Sequence, residues 1–158
     1  MKITIIAVGK IKEDYYRQAI GEYCKRLGKF CSLEIIEVAD EKTPDCASDL
    51  ENAAIRKKEG DRIAKAIKGN PYIIATAIEG KELDSPALSK KLESIMNINS
   101  HIVFIIGGSL GLADEIKGKA DFMLSFSPMT FPHQLMRVIL LEQVYRAFKI
   151  SAGEPYHK

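Results

Sequence analysis

Apolar residues along the chain form short runs, separated by stretches in which they recur every three or four positions. Short runs rich in isoleucine and valine are typical of buried strands, and the three-to-four spacing is typical of amphipathic helices. The runs predict five strands, at residues 3–8, 33–38, 72–78, 101–106 and 122–125.

The stretches between the runs predict helices, and their boundaries carry familiar signals. Ser48 or Asp49 is a typical residue before a first helical turn, and Pro86 fits inside one. Residues 40–49 are polar and predict a loop, whereas Glu79-Gly80-Lys81 predicts a turn. The predicted helices cover residues 14–27, 49–68, 85 onward, 114–116 and 131–150.

Strands that are apolar on both faces and alternate with helices predict an α/β fold with a mostly parallel sheet and helices on both faces. A length of 158 residues suits a single domain, residues 1–158. Ligands bind beyond the carboxyl ends of the strands in such sheets. Three places are therefore candidates: the turn after Ile78, the glycine loop after Ile106, and the segment after Ser125.

Composition and charge narrow the function classes. The net charge of +2 is far from the basic excess of proteins that hold nucleic acid by charge alone, so RNA recognition would need local patches or shape. Three cysteines without a Cys-x-x-Cys pair favour free thiols in a reducing cytoplasm over a disulfide framework or a zinc site. No apolar run approaches the ~18 residues of a membrane helix. We expect a cytoplasmic protein without metal or membrane.

Two of the three candidate places have a ligand-binding and a purely structural interpretation. The loop at residues 107–111 lets backbone approach a ligand, but it lacks the dinucleotide and phosphate-loop patterns, and a plain tight turn is an equal alternative. The segment at residues 125–133 holds Pro128 and Pro132. Its backbone groups could contact the edge of an adenine ring, although composition alone favours a rigid strand-to-helix connection.

The last helix and the tail can also be interpreted in more than one way. The helix is apolar on two sides, so it needs two partners, which we expect to be the sheet and a second copy of the chain. Its polar residues are Arg137, Glu142, Gln143 and Arg146, of which Glu142 and Arg146 are four positions apart and suited to pair.

In the tail, Tyr156, His157 and Lys158 would suit base stacking, proton handling and a phosphate, while an inert chain end is the alternative. His101 is expected to be structural. His133 lies in a first helical turn, where we expect it to act as a polar cap.

Several of these segments resemble one known family closely. They are residues 131–150 with the ending Pro155-Tyr156-His157, the opening residues 1–10, and the loop from Ile106 to Gly111. Together they are similar to the ribosomal large-subunit pseudouridine N3-methyltransferases, which are small members of the SPOUT methyltransferase superfamily. The likeness spans essentially the whole chain. It implies an α/β sheet with a C-terminal trefoil knot, an exception to the unknotted-chain rule, and a homodimer.

The resemblance also implies a cofactor and a substrate. The cofactor would be S-adenosyl-L-methionine, held in the knot by Thr76, Gly107 and the loop Phe126, Ser127, Pro128, Met129, Thr130 and Phe131. Relatives commonly carry leucine at position 76, and a backbone contact there would survive the change to threonine. The substrate would be a pseudouridine in helix 69 of the 23S rRNA, in the assembled 70S ribosome. A docking surface on the ribosome need not be strongly basic, which fits the weak net charge.

Catalytic roles follow from the resemblance as hypotheses. His157 would position or deprotonate the base, with Tyr156 packed beside it. Arg146 would stabilise the developing imide anion or bind a phosphate, and Glu142 would orient Arg146. Two other functions remain open: a SPOUT enzyme acting on another RNA such as tRNA, and a ribosome-binding protein that has lost catalysis.

Overall fold

The computed structural model describes residues 1–157, in which five strands alternate with five helices. They are β1 (Lys2–Val8), α1 (Asp14–Leu27), β2 (Ser32–Val38), α2 (Asp49–Ala66), β3 (Tyr72–Glu82), α3 (Ser85–Met96), β4 (His101–Ile106), α4 (Asp114–Lys119), β5 (Phe122–Ser125) and α5 (His133–Ser151). Each strand and helix expected from the sequence is present, with shifts at some ends.

The strands form one sheet in the order β2-β1-β4-β3-β5, and every neighbouring pair is parallel. Alternate residues of β1 enter different apolar clusters, with Ile5 on one face of the sheet and Ile6 on the other. Helices α1, α3 and α5 pack on the Ile5 face, and α2 and α4 pack on the Ile6 face. The predicted α/β class with helices on both faces is confirmed.

Local side-chain bonds fix where two helices begin. The Ser48 hydroxyl accepts from the Glu51 amide at 3.2 Å, and the Glu51 carboxylate accepts from the Ser48 amide at 2.7 Å. This reciprocal capping box selects Ser48 as the residue that caps α2. Asp84 caps α3 in the same way, accepting from the Ala87 amide at 2.7 Å. None of the helices within residues 1–157 is long and apolar enough to cross a membrane.

The predicted turn at residues 79–81 is wrong, because β3 continues to Glu82. Its pairing with β5 shifts register, so that Thr76 and Lys81 both lie opposite Leu124. Residues 77–80 leave the ladder and return to it, and we refer to them as the β3 excursion. A side chain at Gly80 would come within 2.8 Å of the backbone carbons of Met123 and Leu124. Glycine is therefore required where the excursion rejoins the sheet.

Arg137 of α5 lies in the interior, whereas the sequence grouped it with the polar residues of that helix. It is 1% exposed, and its Nη1 donates to the Glu37 carboxylate at 2.6 Å. Its Nη2 donates to the carbonyls of Val8 and Gly9. A buried cation needs such partners, and these tie α5 to the carboxyl ends of β1 and β2.

Candidate functional site

A cavity of about 680 Å³ opens at the carboxyl ends of β3, β4 and β5. Its walls are the β3 excursion, the glycine loop at residues 107–111, the loop at residues 126–131, and the first turn of α5. Parallel strands bring these connections to the same edge of the sheet, as the sequence predicted. The three separate candidate places thus become one cavity.

The residues expected to hold a cofactor lie around this cavity with one exception. Thr76, Gly107, Phe126, Ser127, Met129, Thr130 and Phe131 line it. Pro128 is exposed and does not belong to the lining. The Thr76 hydroxyl donates to the Ile105 carbonyl at 2.9 Å, so it is already used inside the sheet. A ligand would meet position 76 through the backbone.

Both loops that face the cavity are held by short-range contacts. A side chain at Gly107 would come within 2.8 Å of the Gly111 backbone, and Gly111 has a φ of 79°, where glycine is favoured. In the other loop, the Ser127 hydroxyl accepts from the Met129 amide at 3.0 Å. Because the two loops are held in this way, their remaining backbone N–H and C=O groups can face a ligand in the cavity.

Three titratable side chains of the described chain line the cavity: Glu79, Lys117 and His133. Glu79 and Lys117 form an ion pair at 2.5 Å, and the hydrogen bond from Lys117 lowers the pKa of Glu79. Burial, followed by the nearby charge of Arg137, lowers the pKa of His133. His133 is therefore neutral near pH 7, and the lining carries no net charge.

None of these three residues was predicted from the sequence to line a cavity. His133 was expected as a polar cap, but Pro132 is the cap residue of α5 and no side-chain hydrogen bond is made there. Glu79 was assigned to a turn, although the place after Ile78 was a candidate. Lys117 follows the glycine loop on α4, and nothing in its local sequence singled it out. His101, by contrast, contacts the Thr4 hydroxyl at 2.9 Å, as expected of a structural residue.

The catalytic candidates meet in a second group, the tail cluster, which consists of Glu142, Arg146, Tyr156 and His157. Glu142 Oε1 accepts from Arg146 Nε at 3.0 Å, from Arg146 Nη2 at 2.5 Å and from the Tyr156 hydroxyl at 3.2 Å. The Arg146 guanidinium lies 4.7 Å from the centre of the Tyr156 ring, and its Nη1 is 3.4 Å from His157 Nδ1. The pairing of Glu142 with Arg146 is confirmed.

Residues 154–157 fold back along α5, and among them only Tyr156 is partly buried. The ring of Tyr156 packs edge-on against Tyr145 at 5.0 Å, and Lys149 pairs with Glu154. Burial, followed by the neighbouring Tyr23 and Glu142, raises the pKa of Tyr156 to about 12. Its phenol therefore stays protonated at neutral pH and acts as a donor. Lys158 lies outside the described residues.

The large cavity and the tail cluster are neighbours. A second cavity of about 500 Å³ is lined by His157 and Gln143 on one side. It shares Leu124, Ser125 and Phe126 with the first cavity. The end of β5, with Phe126, is thus a common wall between the loops of the large cavity and the tail. Among residues 1–157, no three His, Cys, Asp or Glu side chains come together as a metal site requires.

Residues 1–157 match the family model described as "Predicted SPOUT methyltransferase". The chain belongs to the SPOUT methyltransferase family. This SPOUT methyltransferase is 62% identical over 159 residues to the ribosomal RNA large subunit methyltransferase H of Bifidobacterium adolescentis, with both chains covered completely. It is 57% identical over 159 residues to the protein of the same name from Clostridioides difficile, again with complete coverage of both.

A solved structure shares the fold at low sequence identity. It is described as a probable methylase family protein from Haemophilus influenzae and superimposes with a TM-score of 0.52 at 13% identity. The match covers 99% of this SPOUT methyltransferase and 70% of the other chain. At that identity the likeness concerns the fold alone.

Proposed function

We propose that this SPOUT methyltransferase, as a single domain of residues 1–158, methylates N3 of a pseudouridine in helix 69 of the 23S rRNA. The methyl donor would be S-adenosyl-L-methionine and the substrate the assembled 70S ribosome. The observation that carries the proposal is a cavity of about 680 Å³, without net charge, beside a clustered Arg146, Tyr156 and His157. The proposal is also supported by sequence: this SPOUT methyltransferase is 62% identical, over its full length, to a ribosomal RNA large subunit methyltransferase.

The cavity fits the proposed cofactor in size and charge. Its volume of about 680 Å³ lies within the range of roughly 300–1,000 Å³ usual for small-molecule sites. A sulfonium is positive, and nearby cations would repel it. His133 is neutral near pH 7, and the Lys117 charge is balanced by Glu79. The backbone at Thr76 and Gly107 and the loop at residues 126–131 would hold the adenosine.

In the proposed methyl transfer, the tail cluster would stabilise the developing charge on the base and position the base. When bound, the cofactor supplies the methyl group, whose bond to sulfur breaks with the electron pair left on sulfur as its bond to N3 forms. Glu142 engages Nε and Nη2 of Arg146, and one Nη1 donor faces His157, which leaves the second Nη1 donor free. That donor can stabilise the imide anion that develops when N3 loses its proton to water.

His157 is better suited to positioning than to proton removal. Arg146 can only donate, so His157 Nδ1 accepts and the ring proton is on Nε2. In this arrangement Nε2–H can donate to a carbonyl of the base, while the Nδ1 lone pair is directed at the Arg146 guanidinium and not at N3. Tyr156, held protonated, orients Glu142 and packs beside the base.

The proposal includes a homodimer and a C-terminal trefoil knot. Helix α5 supports the dimer, because Val138, Tyr145 and Phe148 remain half-buried in the single chain. An isologous contact between two copies is the commonest way to cover such a face. The knot rests on the resemblance of residues 106–111 and 131–150 to the family.

Mass mapping of helix 69 from cells that lack this protein tests the proposal directly. We expect the loss of a single methyl group, restored when the gene is returned. Purified protein should methylate 70S ribosomes from those cells and leave free tRNA unmodified. Transfer to tRNA would identify a different RNA substrate, and ribosome binding without cofactor binding in calorimetry would identify a non-catalytic protein. Either result refutes the proposal.

Variants of the tail test its role. We expect His157→Ala, and removal of the last three residues, to lower methyl transfer to ribosomes by at least about tenfold, the loss typical of one hydrogen bond to a group that develops charge. Cofactor affinity should stay near wild type, because His157 does not line the first cavity. Lys65→Ala, on the exposed face of α2, is the matched control. Unchanged turnover in both tail variants would exclude the tail from the reaction.

A further inference from the structure

The lining of the large cavity contains one pair of opposite full charges among the residues that the structure describes, Glu79 and Lys117. We propose that this pair recognises the amino-acid end of the cofactor, with Glu79 accepting from its ammonium group and Lys117 donating to its carboxylate. This inference rests on the proposed function and deepens it. It names two specificity residues that sequence patterns did not reveal.

The two side chains reach the cavity from different elements. Glu79 belongs to the β3 excursion, and Lys117 lies on α4, one turn beyond the glycine loop. They meet at 2.5 Å, with the Glu79 side chain 51% exposed and the Lys117 side chain 27% exposed. Both can therefore turn towards a ligand without leaving a buried charge unpaired.

The rest of the lining suits the adenosine end of the proposed ligand and not its charged amino-acid end. Apart from His133, which is neutral, the other walls are apolar side chains, small hydroxyls and backbone. Such walls suit an adenine and a ribose, but they offer no counter-ion for a zwitterion. Only Glu79 and Lys117, within residues 1–157, supply a carboxylate and an ammonium side by side in this lining.

Insertion of a zwitterion between the pair conserves charge balance. Each protein charge exchanges its present partner for one of opposite sign on the ligand, and charge-assisted hydrogen bonds form at both ends. Asp114 lies 3.7 Å from Lys117 on the same helix and is 98% exposed. It can keep the Lys117 ammonium oriented when Glu79 turns to the ligand.

A pair of nucleoside ligands isolates this contact. S-adenosylhomocysteine carries the amino-acid end, and 5'-methylthioadenosine has the same adenosine and thioether sulfur without it. Calorimetry of the wild-type protein should give the tighter binding to S-adenosylhomocysteine. In Glu79→Gln and Lys117→Met, affinity for S-adenosylhomocysteine should fall by on the order of tenfold, the loss typical of one charge-assisted hydrogen bond. Affinity for 5'-methylthioadenosine should stay within about twofold of wild type, less than such a bond contributes.

Two controls separate recognition from a structural role. The double variant Glu79→Lys with Lys117→Glu restores an ion pair with its charges exchanged, so it should keep the thermal stability of the wild type and still bind S-adenosylhomocysteine weakly. Glu34→Gln removes a comparable surface pair, with Lys2 at 2.8 Å, at the opposite edge of the sheet. It should leave both affinities unchanged.

The outcomes distinguish this inference from the proposed function. If wild-type protein discriminates between the two nucleosides and the variants keep the same ratio, the inference is overturned while the cofactor assignment stands. If the exchanged pair recovers full S-adenosylhomocysteine affinity, the contact is structural and the inference is again overturned. If neither nucleoside binds the wild type, the proposed function fails, and this inference fails with it.

Discussion

Replacing Arg137 with methionine tests whether the buried guanidinium holds the site together. The substitution keeps most of the apolar volume of the side chain but removes its charge and all of its donors. Glu37 would lose its partner at 2.6 Å, and the carbonyls of Val8 and Gly9 would lose theirs. All three groups lie at the carboxyl ends of β1 and β2, next to the turn of α5 that carries His133 and lines the cavity.

The expected cost can be worked from the environment of each partner. Removing one member of a buried ion pair typically costs about 3–5 kcal/mol. Glu37 is one-third exposed and keeps a hydrogen bond from the Ile11 amide at 3.1 Å, so water can replace part of the lost contact. We therefore expect about 3 kcal/mol, at the lower end of that range. This is a large part of the roughly 5–15 kcal/mol by which domains are stable.

Urea unfolding followed by circular dichroism at fixed protein concentration measures this change. For a slope of about 2 kcal/mol per molar urea, the midpoint should fall by about 1.5 M. Arg26→Met is the matched control, since Arg26 pairs with Glu22 at 2.8 Å on the surface of α1 and should cost less than about 1 kcal/mol. If Arg137→Met were as stable as Arg26→Met, the buried pair would not hold α5 to the sheet and the reasoning would be refuted.

Three further predictions concern the ionisation and contacts of the site. Tyr156→Phe should slow methyl transfer but keep the shape of its pH profile below about pH 10. The pKa of Tyr156 is raised to about 12, so no phenolate forms in that range. A new inflection in the profile of the variant would count against this assignment. Wild-type protein should lose stability as the pH falls through about 6.5, because His133 is protonated more readily in the unfolded chain than in the folded protein, where partial burial lowers its pKa. His133→Gln should flatten that part of the curve in urea unfolding at several pH values, and an equally steep curve would contradict the burial argument. Thr76→Val should cost about 1 kcal/mol of stability through the lost bond to Ile105. Calorimetry should give unchanged affinity for S-adenosylhomocysteine, and a weaker affinity would contradict a contact through the backbone alone.

The alternation of apolar runs and amphipathic stretches was enough to predict the α/β class, the parallel sheet and the order of the elements along the chain. Strands such as 101–106, buried on both faces, have few alternatives to a central position in a parallel sheet. The β3 excursion could not be predicted in this way. Glu79-Gly80-Lys81 has the composition of a turn, and only the backbone of Met123 and Leu124, distant in sequence, explains why the chain returns to the sheet.

The candidate site was predictable where it depended on strand ends and less so where it depended on single side chains. Loops after Ile78, Ile106 and Ser125 had to meet once the sheet was parallel. Arg137 could not be recognised as buried, because a charged residue on an apolar helix is usually exposed. Two of its partners are backbone carbonyls, which leave no trace in the sequence, and the third, Glu37, is 100 positions away. Lys117 was missed for a similar reason, since its partner Glu79 is 38 positions away.

Loop length at the β3 excursion is free to vary independently of the sheet. Thr76 and Lys81 are both held opposite the same residue, Leu124, so the chain between them can be lengthened or shortened without moving a strand. Because Ala77, Ile78 and Glu79 also form one wall of the cavity, such changes would alter its shape and, through Glu79, its charge pair with Lys117. With Gly80 retained as the point of return, this segment is the natural place to change which ligands the cavity accepts.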